Sequence, residues 1–200
     1  MKLVVLVSGS GTNLQALINA TTAGTLPVTI EGVISDREGA YGLIRAQEAD
    51  IKTQIIPYAH FKTSETPRES FCSALVKTVN AFEPELVVLA GFMRILTEEF
   101  LSVVACPVIN LHPALPGEYP GTHALERAWS DYEAGKISRT GIMVHRVILA
   151  LDAGEPIVTE EIVLKGLPDF QALRAVSRDV EHRILVEAVR RFSRESSSLE

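Results

Sequence analysis

Lys2-Leu-Val-Val-Leu-Val-Ser-Gly-Ser-Gly-Thr-Asn13 opens the chain, and its reading decides the fold. Leu3 to Val7 is apolar without interruption, the pattern of a buried strand. The Ser8 to Asn13 turn then leads into Asn13-Leu-Gln-Ala-Leu-Ile-Asn-Ala20, where Leu14, Leu17 and Ile18 share one helical face. Strand, turn and helix in this order form the first unit of an α/β sheet.

Outward from that unit the rhythm repeats. Strands are expected at Thr29–Ser35, Thr53–Ile56, Leu86–Ala90 and Pro107–Asn110. Helices are expected at Gly42–Glu48, at Pro67–Phe82 with Pro67 in the first turn, and at Thr97–Val104. After Pro113 the pattern changes to a proline- and glycine-rich loop ending at Gly121, a helix over Ala124–Glu133, and strands at Thr140–Ile148 and Pro156–Val163 placed to pair antiparallel. A long amphipathic helix, Asp169–Phe192, closes the chain with Leu173, Val176, Val180, Ile184 and Ala188 roughly on one side. The expected fold is a single-domain α/β, Rossmann-like sheet over residues 1–192. It is mostly parallel, with an antiparallel strand or hairpin in the C-terminal half and helices on both faces. Residues 193–200 are expected to form a flexible polar tail.

Composition excludes several classes. The chain has 200 residues, 46% hydrophobic, enough for one sizeable core. No apolar run approaches the roughly 20 residues that span a bilayer, and the first strand runs straight into its turn, so it is not a signal peptide. A net charge of -6 without a basic cluster argues against nucleic acid. Cys72 and Cys106 have neither metal-type nor redox-type spacing, which suits a reducing cytoplasm. Small-molecule partners are expected, with the chain a monomer or weak homodimer.

Three segments carry chemistry. In Ser8-Gly-Ser-Gly-Thr-Asn13 the glycines let the backbone approach an anion, and the helix start favours a phosphate. Leu14 stands where a dinucleotide fingerprint has its third glycine, so the turn alone is equally a tight strand-to-helix connection, with Asn13 as its cap. Gly91-Phe-Met-Arg-Ile-Leu96 follows a strand and offers main-chain groups and apolar walls to a flat heterocycle, with Arg94 either a surface residue or a carboxylate clamp. Val108-Ile-Asn-Leu-His-Pro113 ends a strand with an amide and an imidazole side by side, and Asp152 on a second loop is a candidate to orient the imidazole. A zinc site from His112, His123, His145 and Asp152 lacks close ligand spacing, and no nucleophile motif is present, so no metal is expected and direct transfer remains.

From Lys2 to Val189 the chain resembles the phosphoribosylglycinamide formyltransferases, a branch of the folate-dependent formyltransferases. The resemblance rests on Val-Leu-Val-Ser-Gly-Ser-Gly-Thr-Asn-Leu-Gln, Leu-Ala-Gly-Phe-Met-Arg-Ile-Leu, Asn-Leu-His-Pro-Ala-Leu-Pro, Tyr-Pro-Gly-Thr-His, Gly-Ile-Met-Val-His and Leu-Asp-Ala-Gly-Glu-Pro, in that order. It implies an enzyme that formylates glycinamide ribonucleotide from the cosubstrate 10-formyltetrahydrofolate. Asn110, His112 and Asp152 would be catalytic, with Asp152 raising the proton affinity of His112. Gly11, Thr12 and Asn13 would hold the phosphate, and Arg178 to Glu181 would face the same substrate, Glu181 toward ribose hydroxyls. Arg68, Met93, Arg94, Ile95 and Leu96, with Ile148, Leu149, Ala150 and Leu151, would hold the folate, the arginines serving its acidic tail. The chain departs from the family at Leu115-Pro-Gly-Glu118, where many members carry Leu-Leu-Pro-Lys. A folate hydrolase, a formyltransferase for methionyl-tRNA or a sugar nucleotide, and a noncatalytic phosphometabolite-binding module are the rival readings.

Overall fold

The structure is a computed structural model that describes residues 1–197. Strands β1 (Lys2–Val7), β2 (Thr29–Ser35), β3 (Thr53–Ile55), β4 (Leu86–Leu89) and β5 (Val108–His112) are mutually parallel. Strands β6 (Arg139–Arg146) and β7 (Pro156–Val163) add to β5 as an antiparallel pair. All lie in one sheet of order β3-β2-β1-β4-β5-β6-β7, so the chain reverses its direction of travel between β1 and β4. The carboxyl ends of strands at such a switch point flank a natural ligand crevice.

Both faces of the sheet are covered, which explains why its central strands read as unbroken apolar runs. Leu3, Val5 and Val7 face a core shared with α1 (Thr12–Thr22) and α6 (Phe170–Ser197). Val4 and Leu6 face the opposite core, built with α3 (Pro67–Asn80) and α4 (Glu98–Val103). Helix α2 (Tyr41–Glu48) contributes Ala46 to the first core, and α5 (Ala124–Glu133) packs Trp129 and Tyr132 against it. Helix α6 runs in the same direction as α1: Asn13 Nδ2 reaches Glu181 near one end, and Arg190 reaches Thr25 O near the other.

Several boundaries differ from the sequence reading, each for a local reason. Strand β6 ends at Arg146, two residues short of the expected Ile148, with Val147 N–H making one more bond to β5 at Val108 O. Helix α4 is capped by Thr97, whose hydroxyl accepts from Phe100 N–H at 3.2 Å. A 3-10 turn, Tyr58–Phe61, follows β3 with no periodic signal to announce it. Helix α6 continues to Ser197, past the expected start of the tail, and residues 198–200 of that tail lie outside the described residues.

Candidate functional site

Alternation along β5 turns Ile109 and Leu111 toward the α1/α6 core and leaves Asn110 and His112 on the other face with Val108. There they border a cavity of about 440 Å³. Asp152 arrives from the segment between β6 and β7, on a left-handed backbone with φ 51°, a conformation Asp tolerates better than most residues. Its Oδ2 lies 3.4 Å from His112 Nδ1 and accepts Gly121 N–H at 2.8 Å, while Oδ1 accepts Asn110 Nδ2–H at 3.2 Å. The sequence-derived trio is therefore one cluster.

Electrostatics adjust one expectation. Burial lowers the pKa of His112 and outweighs the opposing pull of Asp152 and the Tyr119 carbonyl, so its net proton affinity falls below that of an ordinary imidazole. The expected upward pull of Asp152 exists but does not win. Burial raises the pKa of Asp152, yet the nearness of His145, whose Nε2 lies 3.6 Å from Oδ1, and the hydrogen bond from Gly121 N–H, with the pull of the two imidazoles, bring its carboxyl net below the usual value. His112 Nε2 lies 3.1 Å from Tyr119 O, an atom that only accepts, so Nε2 carries a proton in this arrangement. Arg127 clamps the same loop through the carbonyls of Tyr119 and Pro120 at 2.7 and 2.6 Å.

Three residues make contacts here that the sequence reading did not assign to them, His145 having been weighed only as a zinc ligand. His145 stands opposite Asn110 across the β5/β6 pair, with Nε2 3.2 Å from Asn110 Nδ2. Gly121 supplies the main-chain donor to Asp152. Asp36, fully buried in its side chain, takes the Arg94 guanidinium at 2.6 Å. Arg94 also lies 4.1 Å over the Tyr58 ring, so its Nε clamps an internal carboxylate while the residue lines the cavity.

The cavity wall opposite the trio is apolar. Met93, Ile95, Ile148, Leu149 and Leu151 line it, yet each is exposed. Such a cluster marks a binding surface. Arg68 and Ala150 lie outside the lining. Arg68 sits in the first turn of α3, its guanidinium 3.7 Å from Glu69 and half exposed. At the departure from the family pattern, Pro116-Gly117 makes a tight turn with Gly117 at φ 79° and Glu118 N–H on Leu115 O, and Glu118 faces Arg139 at 3.7 Å. His123 is largely exposed beside Glu126, at the start of α5.

The glycine turn adjoins this cleft through Ser8, whose hydroxyl accepts Met93 N–H at 2.8 Å while its own N–H donates to Gly91 O. Gly11, not Asn13, occupies the cap position of α1, at φ 68°, and no side chain caps the first-turn N–H groups. A Cβ on Gly11 would come within 2.5 Å of Gly42 Cα, so glycine is required for α2 to brace the turn. Arg45 of α2 donates to Ser10 O at 2.8 Å and adds positive charge there. Asn13 instead donates to Glu181 Oε2 at 2.9 Å. Burial pushes the Glu181 carboxyl above its ordinary value, against the Asn13 hydrogen bond and the Arg178 charge.

A larger, more open groove of about 660 Å³ runs between α6 and β7, but its charged walls pair with one another, Arg183 with Glu160 and Arg190 with Glu187. Among the described residues no group of three or more His, Cys, Asp or Glu is arranged to hold a metal, and no helix is long and apolar enough to cross a membrane.

Comparison with known proteins places these features in a context. Residues 1–189 match the family model described as formyl transferase. The chain is 41% identical over 198 residues to a phosphoribosylglycinamide formyltransferase of Dictyostelium discoideum, covering 94% of this chain and 96% of that one. It is 43% identical over 195 residues to the Schizosaccharomyces pombe protein of the same name, covering 94% of each. The crystal structure of glycinamide ribonucleotide transformylase 1 from Symbiobacterium toebii superposes with a TM-score of 0.88 at 33% identity, over 98% of this chain and 88% of that one.

Proposed function

The chain belongs to the formyl transferase family, and from that premise we propose that it moves the formyl group of 10-formyltetrahydrofolate directly onto the amine of glycinamide ribonucleotide, a step of purine biosynthesis. One observation carries this reading: Asn110, His112 and Asp152 meet at one wall of an apolar cleft whose rim is hydrogen-bonded, through Ser8, to an uncapped helix start. A flat, largely apolar cosubstrate suits the cleft, and a phosphate suits the helix start.

The folate enters against Met93, Leu96 and the Ile148 to Leu151 segment, with main-chain contacts to the 91–96 loop. The nucleotide phosphate sits on the amides of Gly11, Thr12 and Asn13, and Glu181 receives ribose hydroxyls, with Arg178 nearby. Its amine then attacks the formyl carbon. Negative charge gathers on the formyl oxygen, where Asn110 N–H and His112 Nε2–H donate to it once the Tyr119 carbonyl has withdrawn. The new carbon–nitrogen bond forms, the bond to folate N10 breaks, and the proton shed by the amine reaches N10 by way of Asp152 and water. Asp152 is suited to that relay because its lowered pKa keeps it ionised.

Incubating the purified protein with both substrates tests the reading. Release of tetrahydrofolate that depends on the nucleotide supports transfer, and Asp152→Asn should abolish most of it. Formate release without the nucleotide would mean a hydrolase, and no product at all would refute the assignment.

A further inference from the structure

Taking the formyl-transfer reading as given, we infer that His145 is a positioning residue: its Nε2 lone pair fixes the Asn110 amide so that an N–H, not the carbonyl oxygen, meets the developing oxyanion.

The register of the sheet sets this up. Asn110 of β5 and His145 of β6 are directly paired, so their side chains leave the same face of the sheet. The His145 ring is 2% exposed, and its Nδ1 lies 2.8 Å from Arg146 O. A carbonyl only accepts, so Nδ1 carries the hydrogen, and in the singly protonated ring Nε2 is a bare lone pair. Asn110 Nδ2 stands 3.2 Å from that lone pair and 3.2 Å from Asp152 Oδ1, whereas Nε2 and Oδ1 are 3.6 Å apart, too far to share a hydrogen, and the amide hydrogens stand between them. Turned over, the amide would set its oxygen against two acceptors, so the electrostatics permit one orientation.

The two acceptors differ in how firmly they are held. His145 belongs to a strand paired on both sides, with β5 and with β7. Asp152 belongs to a loop and divides its carboxylate among Asn110, Gly121 and His112. The hydrogen facing Asp152 is the one the oxyanion takes over, while His145 retains the other and keeps the amide from rotating. His145 acts on the reaction through Asn110.

Two substitutions separate this role from simple packing. His145→Gln carries an acceptor to the position of Nε2, whereas His145→Asn reaches only the position of Nδ1. In the full-length protein, with 10-formyltetrahydrofolate and glycinamide ribonucleotide, His145→Asn should lower kcat about a hundredfold with KM little changed, and His145→Gln should recover most of it. Adding His145→Asn to Asn110→Ala should cost little more, since the amide it orients is gone. Equal losses for Gln and Asn, or an undiminished loss on the Asn110→Ala background, would overturn the role. Ring-nitrogen NMR of the wild-type protein decides the geometry without turnover: the Nδ1–H tautomer supports it, and the Nε2–H tautomer refutes it. A wild-type chain inert toward both substrates would sink the formyl-transfer reading, and the tautomer would still decide that of His145.

Discussion

Replacing Gly154 by alanine would place a methyl carbon 1.7 Å from Arg146 O and 3.3 Å from His145 Nδ1. Ordinary contact begins at 3.4 Å, so the segment must retreat from β6 by about its present clearance again. The atom in the way is main chain and cannot rotate aside. Arg146 O is also the anchor of the His145 ring, and Arg146 N–H holds Glu155 O at 3.0 Å, so the retreat breaks the base of the loop that carries Asp152. A misplacement of about 1 Å at a reacting group costs on the order of a hundredfold in rate, and overpacking of this kind costs about 1–3 kcal/mol. Gly154→Ala should therefore lose at least that factor in kcat and melt at lower temperature. Gly39→Ala, where a new Cβ meets nothing within 4 Å, should behave like wild type. Steady-state kinetics and thermal melts on the three proteins are sufficient. A Gly154→Ala protein with native kcat and Tm would mean that Asp152 is not held through this contact.

Glu181→Gln keeps an acceptor for Asn13 but removes the charge; a hydrogen bond to a charged group is worth about 1 kcal/mol more than a neutral one, so KM for the nucleotide should rise several-fold with kcat little changed. An unchanged KM would remove Glu181 from the ribose site. Asp36→Ala leaves the partly buried Arg94 guanidinium without its carboxylate and should cost about 3 kcal/mol in urea unfolding and raise KM for the folate; native stability would show the pair to be idle. Because burial depresses the His112 pKa, the unfolded chain binds the more protons just below 6.5, so this group's contribution to stability is complete above 6.5 and is lost as the pH falls through the folded-state value. His182 is shifted the same way, again chiefly by burial. Unfolding midpoints of wild type and His112→Asn measured downward from pH 6.5 should converge, and parallel curves would contradict the lowered proton affinity.

The parallel half of the sheet was legible because strands buried on both faces must be apolar throughout, and Leu3 to Val7 and Leu86 to Ala90 are. Asn110 and His112 were legible too, since alternation along one strand and the proline that ends it fix their relation. His145 was not. Its place opposite Asn110 depends on the register of the antiparallel β5/β6 pair, which joins residues 35 apart in the chain, and no local pattern encodes that. Arg94 was left open because its partner, Asp36, lies 58 residues away at the end of another strand. The net proton affinity of His112 was not legible for a related reason: the upward pull of Asp152 follows from the residue types and is present, but the burial that outweighs it exists only in the assembled fold.

The parallel course of α1 and α6 bears on how this protein can be joined to others. Met1 precedes the start of β1, and the far turns of α6 lie against Thr25 and Ile157, beside the beginnings of β2 and β7. Both ends of the described chain thus leave from the rim where the parallel strands start, away from the glycine turn at their carboxyl ends. A neighbouring enzyme tethered at either end, or a surface to which the protein is immobilised, leaves the glycine turn unobstructed.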